Sequence, residues 1–183
     1  MKNYKVGIIG ATGMVGQRFA TLLENHPWFT VTALAASKRS AGKTYKECVE
    51  SGWAMTTQIP KAMEDMIILD AANVEEVASK VDFVFCAVDM PKDQIRELEE
   101  AYAKAECPVV SNNSAHRHTP DVPMVIPEIN ADHIKIIDSQ RKRLGTKKGF
   151  VAVKSNCSLQ SYVPAVHPLR ELGCNKVLAC TYQ

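Results

Sequence analysis

The chain has 183 residues, 46% of them hydrophobic and 23% charged, the composition of an ordinary globular protein and not of a disordered, collagen-like or membrane-embedded one. Lys and Arg total 22 against 20 Asp and Glu, a net charge of +2, so no broad field points to nucleic acid or to a membrane surface. The six cysteines, at 48, 86, 107, 157, 174 and 180, form no CxxC pair and no His/Cys cluster with zinc-ligand spacing; neither a metal nor a disulfide framework is expected, and a reducing cytoplasm is the expected compartment.

YKVGIIG (4–10) is a short β-branched run ending in glycine, and MVGQRFATLLENH follows with apolar residues at helical spacing, which predicts strand, tight turn and helix. The run at 6–11 is too short for a signal-peptide core or a membrane span. After Pro27 a second strand is predicted over 29–37, completing a βαβ unit. Strands are then expected at 66–71, 81–88 and 107–112, with a helix over 91–106. From Val125 the sequence predicts a cap at Asn130, a helix through ADHIKIIDSQRKRLG, a strand over 150–155 and an apolar helix over 158–173 with two prolines. NKVLACTYQ reads as a final strand with no following partner, flanked by Cys174 and Cys180 as small buried thiols.

Apolar strands alternating with helices imply a buried parallel sheet. The expected fold is α/β, a doubly wound, mostly parallel Rossmann-type sheet over residues 1–154. Residues 155–183 would begin an α+β catalytic domain, a boundary argued from topology alone.

Gly10-Ala11-Thr12-Gly13-Met14-Val15-Gly16 places a glycine at every third position between a strand and a helix. One glycine allows the turn, one admits a pyrophosphate and one lets helix pack on strand. No acid occurs between Glu24 and Glu47 to hold the ribose hydroxyls of NAD; the second strand runs instead into Ser37-Lys38-Arg39-Ser40. Two hydroxyls and two cations suit a 2′-phosphate, so NADP is preferred over NAD; a solvated charged loop is the bland alternative.

Ser155-Asn156-Cys157-Ser158 sets a thiol where a helix begins, a position that favours a thiolate and an oxyanion, although a structural cysteine is the alternative. No histidine is placed to act as its base; His167 is ten residues along the following helix, about 15 Å at 1.5 Å per residue. In Ser111-Asn112-Asn113-Ser114-Ala115-His116-Arg117, the arginine could clamp a phosphate or carboxylate and the asparagines could bond a nicotinamide. An exposed loop arginine that is merely solvated is the competing reading.

With ASKRSAGK (36–43), IPEIN (126–130) and TYQ (181–183), these motifs resemble aspartate-semialdehyde dehydrogenase in order along the whole chain, most closely its archaeal and fungal branch. The resemblance implies NADP-linked reductive dephosphorylation of L-aspartyl-4-phosphate to aspartate semialdehyde and phosphate. Cys157 matches the nucleophile, Asn156 its oxyanion-assisting neighbour, Arg117 the substrate-phosphate ligand and Gln183 the active-site glutamine. It also implies small-molecule partners only and a homodimer or homotetramer. Members of the family are longer, and their base histidine lies in a part that would follow Gln183, so a truncated chain that holds NADP without turnover is expected. Malonyl-CoA reductase, N-acetylglutamyl-phosphate reductase and a catalytically silent NADP-binding module are the alternatives.

Overall fold

The computed structural model describes residues 3–182, so Gln183 lies outside the described residues. Among these residues, strands β1 (Tyr4–Ile9), β2 (Phe29–Ala36), β3 (Ile68–Asp70), β4 (Phe83–Cys86), β5 (Val109–Ser111), β6 (Met124–Val125) and β7 (Val151–Lys154) form one sheet. Its order is β3-β2-β1-β4-β5-β7-β6 and every neighbouring pair is parallel. The α-helices are α1 (Met14–Leu23), α2 (Tyr45–Val49), α3 (Lys61–Glu64), α4 (Val74–Ala78), α5 (Lys92–Lys104), α6 (Pro127–Asn130), α7 (Ile137–Leu144) and α8 (Cys157–Val166).

Strand periodicity divides the interior into two cores. Val6 and Ile8 of β1 and Leu34 and Ala36 of β2 face one side, where they pack with Ala20 and Leu23 of α1, Tyr45 and Val49 of α2, and Met63 of α3. Ile9, Ala33 and Ala35 face the other side, with Val84, Val109, Val151, Val77 of α4 and Tyr102 of α5. Helices therefore cover both faces, the condition under which parallel strands are apolar throughout. The chain builds outward from β1 to β3, then returns to place β4 on the other side of β1. The strand order reverses there, and a crevice opens outside the carboxyl ends of β1 and β4.

Three expectations are revised. Asn130 does not cap the next helix with its side chain; it bonds Ile126 N and Met124 O, and a 3-10 turn (Ala131–Ile136) precedes α7. The helix expected to reach 173 stays α-helical only through Val166, with Pro164 inside it, and then tightens into 3-10 turns (His167–Leu172). Pro168 lacks the N–H that an α-helix needs at that point. Residues 174–182 form no strand, and Cys174 and Cys180 are exposed instead of buried, because no strand of the described chain lies beside them to satisfy their backbone.

The approach to β7 depends on one carboxylate. Glu106, just beyond α5, accepts the backbone N–H of Lys147 (2.8 Å), Lys148 (2.6 Å) and Gly149 (2.8 Å). A Cβ on Gly149 would sit 1.8 Å from Ala103 O, so only glycine lets the turn close on the helix end. The three amides hold the Glu106 carboxyl below the usual glutamate range. A lowered native pKa stabilises above the unfolded pKa, and that contribution disappears as pH falls through the native value. Glu106→Gln should therefore flatten the dependence of the urea midpoint on pH between roughly pH 5 and 3.

Candidate cofactor and catalytic site

The glycine loop is held from behind. Gly10 has φ +85, and a Cβ there would meet Ala87 O at 2.4 Å; a Cβ on Gly16 would meet Gly10 O at 2.1 Å. Both glycines are required by the packing of α1 and β1 against the chain after β4. Gly13 differs: its φ is −73 and its nearest non-local atom is 3.6 Å from a built Cβ. Packing does not require glycine at 13, and its bare backbone leaves the start of α1 open to an outside group. Gln17 Nε2 donates to Thr12 O (3.0 Å) and the Tyr45 hydroxyl donates to Ala11 O (3.2 Å), which turns two loop carbonyls away from that opening. Met14 and Val15 occupy the first turn, where backbone N–H groups have no intrahelical acceptor.

The opening faces a cleft of about 800 Å³. Gly10, Thr12 and Gly13 form one wall, and Ser37, Lys38 and Arg39 another. Ser37, Lys38 and Arg39 are exposed, and neither cation has a carboxylate partner among the described residues. Ser40 closes the turn, its N–H donating to Ser37 O (2.9 Å). Sequence reasoning missed the third wall, made by Asp70 at the end of β3 and by Asp89, Gln94 and Glu97. The signal is present in MIILDA, a strand that ends in an acid one strand later than the usual ribose-binding position.

The loop after β5 rests on a buried polar network. Glu99 of α5 is fully buried, and its Oε1 accepts from Ser111 Oγ (2.5 Å) and Asn113 Nδ2 (3.0 Å). Asn113 Nδ2 also reaches Cys86 Sγ at 3.5 Å, so this amide is turned inward, while Asn112 donates its backbone N–H to Cys86 O (2.8 Å). His116, equally buried, contacts Thr119 Oγ1 through Nδ1 (3.0 Å) and faces Glu99 across 3.9 Å through Nε2. Burial pushes the imidazole below the ordinary histidine range, against the pull of Glu99 and Glu100. His116 is thus a buried strut of the loop.

Arg117 is brought to the start of α8. Its Nε donates to Lys154 O (3.2 Å) and its Nη2 to Ser155 O (3.2 Å), so the end of the β5 loop is fastened to the last residues of β7. Asn156 caps α8, its Oδ1 accepting from Ser158 N (2.8 Å), and Cys157 follows as the first helical residue, exposed. Because all strands are parallel, this cluster lies on the same sheet edge as the cleft, beyond β5 and β7. Cys86 and Cys107 are buried; burial drives the first well above the ordinary thiol range and the second to about 11.

The family profile described as "Semialdehyde dehydrogenase, NAD binding domain" matches residues 5–137. The chain belongs to that family. The aspartate-semialdehyde dehydrogenase of Archaeoglobus fulgidus is 41% identical over 182 residues, 98% of this chain and 50% of that protein. The enzyme of the same name from Aspergillus fumigatus is 41% identical over 155 residues, 85% of this chain and 41% of that protein. A crystal structure of aspartate semialdehyde dehydrogenase with NADP from Candida albicans superposes with a TM-score of 0.80 at 37% identity, covering 93% of this chain and 48% of that one. The chain spans about half the length of the relatives it matches.

The glycine loop, the cationic turn and Arg117 lie within the matched residues, and Cys157 follows at the same sheet edge. Among the described residues no helix is long and apolar enough to cross a membrane. Glu99→Ala should leave Ser111 and Asn113 without their acceptor and cost on the order of 3 kcal/mol, read from urea unfolding.

Proposed function

We propose that the chain supplies the NADP-binding domain and the nucleophile of an aspartate-semialdehyde dehydrogenase. The reaction is reduction of L-aspartyl-4-phosphate to L-aspartate 4-semialdehyde and phosphate, in lysine, methionine and threonine synthesis. The observation that carries the reading is the fastening of Arg117 to the residues just before Cys157, on the same sheet edge as the glycine cleft. The bare backbone at Gly13, which packing does not require, supports a dinucleotide whose pyrophosphate rests on α1.

In this reading Gly10, Thr12, Gly13, Met14, Val15 and Gly16 frame the pyrophosphate, and Ser37, Lys38, Arg39 and Ser40 take the 2′-phosphate. Asn112 faces the nicotinamide, while Asn113 supports the loop from beneath. Cys157 Sγ attacks the acyl carbon and phosphate leaves toward Arg117, giving a thioacyl enzyme. Bound NADPH supplies the hydride that reduces this acyl group. Cys157 then departs as thiolate, with the α8 start and the free Asn156 amide facing the oxyanion. The TYQ resemblance assigns an active-site role to Gln183, which lies outside the described residues.

Residues 1–154 form the cofactor domain in this reading, and 155–183 begin the catalytic domain. Sheet pairing ends at Lys154, and none of residues 156–182 is buried. The exposed Leu172, Val177, Leu178 and Tyr182 support assembly as a homodimer or homotetramer. Six cysteines without a disulfide support a cytoplasmic setting.

Titration of the chain with NADPH and NADH tests the cofactor assignment. Lys38→Ala combined with Arg39→Ala should weaken NADPH by about tenfold or more and leave NADH nearly unchanged, since charge-assisted hydrogen bonds contribute roughly 1.5–3 kcal/mol each. Equal losses for both would remove the 2′-phosphate assignment. In a protein of the relatives' full length, Cys157→Ser should lower phosphate-dependent NADP reduction with aspartate semialdehyde by about 10³-fold or more and spare NADPH binding.

A further inference from the structure

Arg117 and Lys154 bring two positive charges to one carbonyl. Arg117 Nη2 (3.2 Å) and Lys154 Nζ (3.3 Å) both donate to Ser155 O, so the two charges lie within two hydrogen-bond lengths of each other. Arg117 Nε adds a bond to Lys154 O. Neither cation meets a carboxylate among the described residues. A single neutral carbonyl needs only one neutral donor. Here two N–H groups of the ammonium and three of the guanidinium are left over, on half-buried side chains one turn of chain from an exposed thiol.

Both electrostatics and geometry leave this corner short of negative charge. Burial, and next the Arg117 charge, push the Lys154 ammonium below the usual lysine range, while Cys157 pulls it back. An anion arriving between the cations would relieve both effects. Three unspent guanidinium donors and two ammonium donors match the several terminal oxygens of a phosphate better than the single pair of a carboxylate.

We propose that Lys154 is a second phosphate-binding cation, acting with Arg117 on one phosphate dianion beside Cys157, and that it sets a preference for an acyl phosphate over an acyl thioester. The preference rests on the reaction proposed above; binding of phosphate does not. When the Cys157 thiolate bonds to the acyl carbon, the C–O pair departs on the phosphate, which gains negative charge between the cations and takes up, through solvent, the proton that the thiol gave up. A thioester sulfur departs with a single thiolate charge and brings no terminal oxygens to take the remaining N–H groups of the two cations. Lys154 thus discriminates by leaving-group charge.

The test uses the chain itself, at constant ionic strength, with alkylation of Cys157 by iodoacetamide measured by peptide mass spectrometry. Inorganic phosphate is titrated in one arm and pantetheine, capped as its S-methyl thioether so that it cannot consume iodoacetamide, in another as a phosphate-free mimic of the reactive end of an acyl-thioester carrier. Phosphate should protect wild-type Cys157 saturably. Lys154→Met should raise the protecting concentration about tenfold or more, and Lys154→Arg should restore it to within about threefold. Pantetheine should not protect. Absent protection in the wild type, unchanged protection in Lys154→Met, or better protection by pantetheine than by phosphate would each overturn the proposal. NADPH binding, followed in parallel, should be the same in every variant. Its absence from the wild type would remove the cofactor reading while the phosphate result stood. If Lys154→Met loses its melting transition, Lys154→Gln is read in its place against the same outcomes.

Discussion

The cleft depends on a close backbone approach at the junction of β1, α1 and the chain leaving β4. Gly10 touches Ala87 and Gly16 touches Gly10 at distances no side chain could occupy. That contact fixes the angle at which α1 leaves the sheet, and therefore where its N-terminus points. Gln17 and Tyr45 then lock the loop carbonyls from the core side. The hydroxyl of Tyr45 is buried, and its pKa is pushed upward by that burial, so it acts as a hydrogen-bonding strut and not as an acid. Everything placed around the cleft takes its position from this junction.

Helix α5 connects the two halves of the site. Gln94, Glu97, Leu98 and Ala101 line the cleft, while Glu99, between them in sequence, points into the protein to hold Ser111 and Asn113. The 3.6-residue period makes this division possible, since residues two apart on a helix face different directions. A displacement of α5 would shift the cleft wall and the Arg117 loop together, which makes the helix a rigid link between the two.

The parallel sheet was legible because its signals are local. β1, β2 and β4 are apolar runs bounded by glycine, proline or polar turns, and the strand-to-helix glycine loop has a fixed spacing. Cys157 was legible as the first residue of a helix because Asn156 is a good cap. The inward turn of Asn113 and the buried Glu99–His116 contact were not legible, since both depend on residues brought together from α5 and the loop after β5. The Asn130 cap failed for a related reason: its carboxamide found better partners in Ile126 and Met124. The strand expected near the end of the chain needs a neighbour, and strand propensity alone does not supply one.

The side chain of Asn156 is divided between two tasks. Its oxygen terminates the backbone of α8, while its nitrogen keeps two donors that no protein group takes among the described residues. An aspartate there would cap the helix as well or better, yet would set a negative charge beside Cys157 and remove both donors. One atom thus separates the cap from the charge beside the thiol, and spontaneous deamidation at this position would set an anion next to Cys157 while leaving the architecture intact.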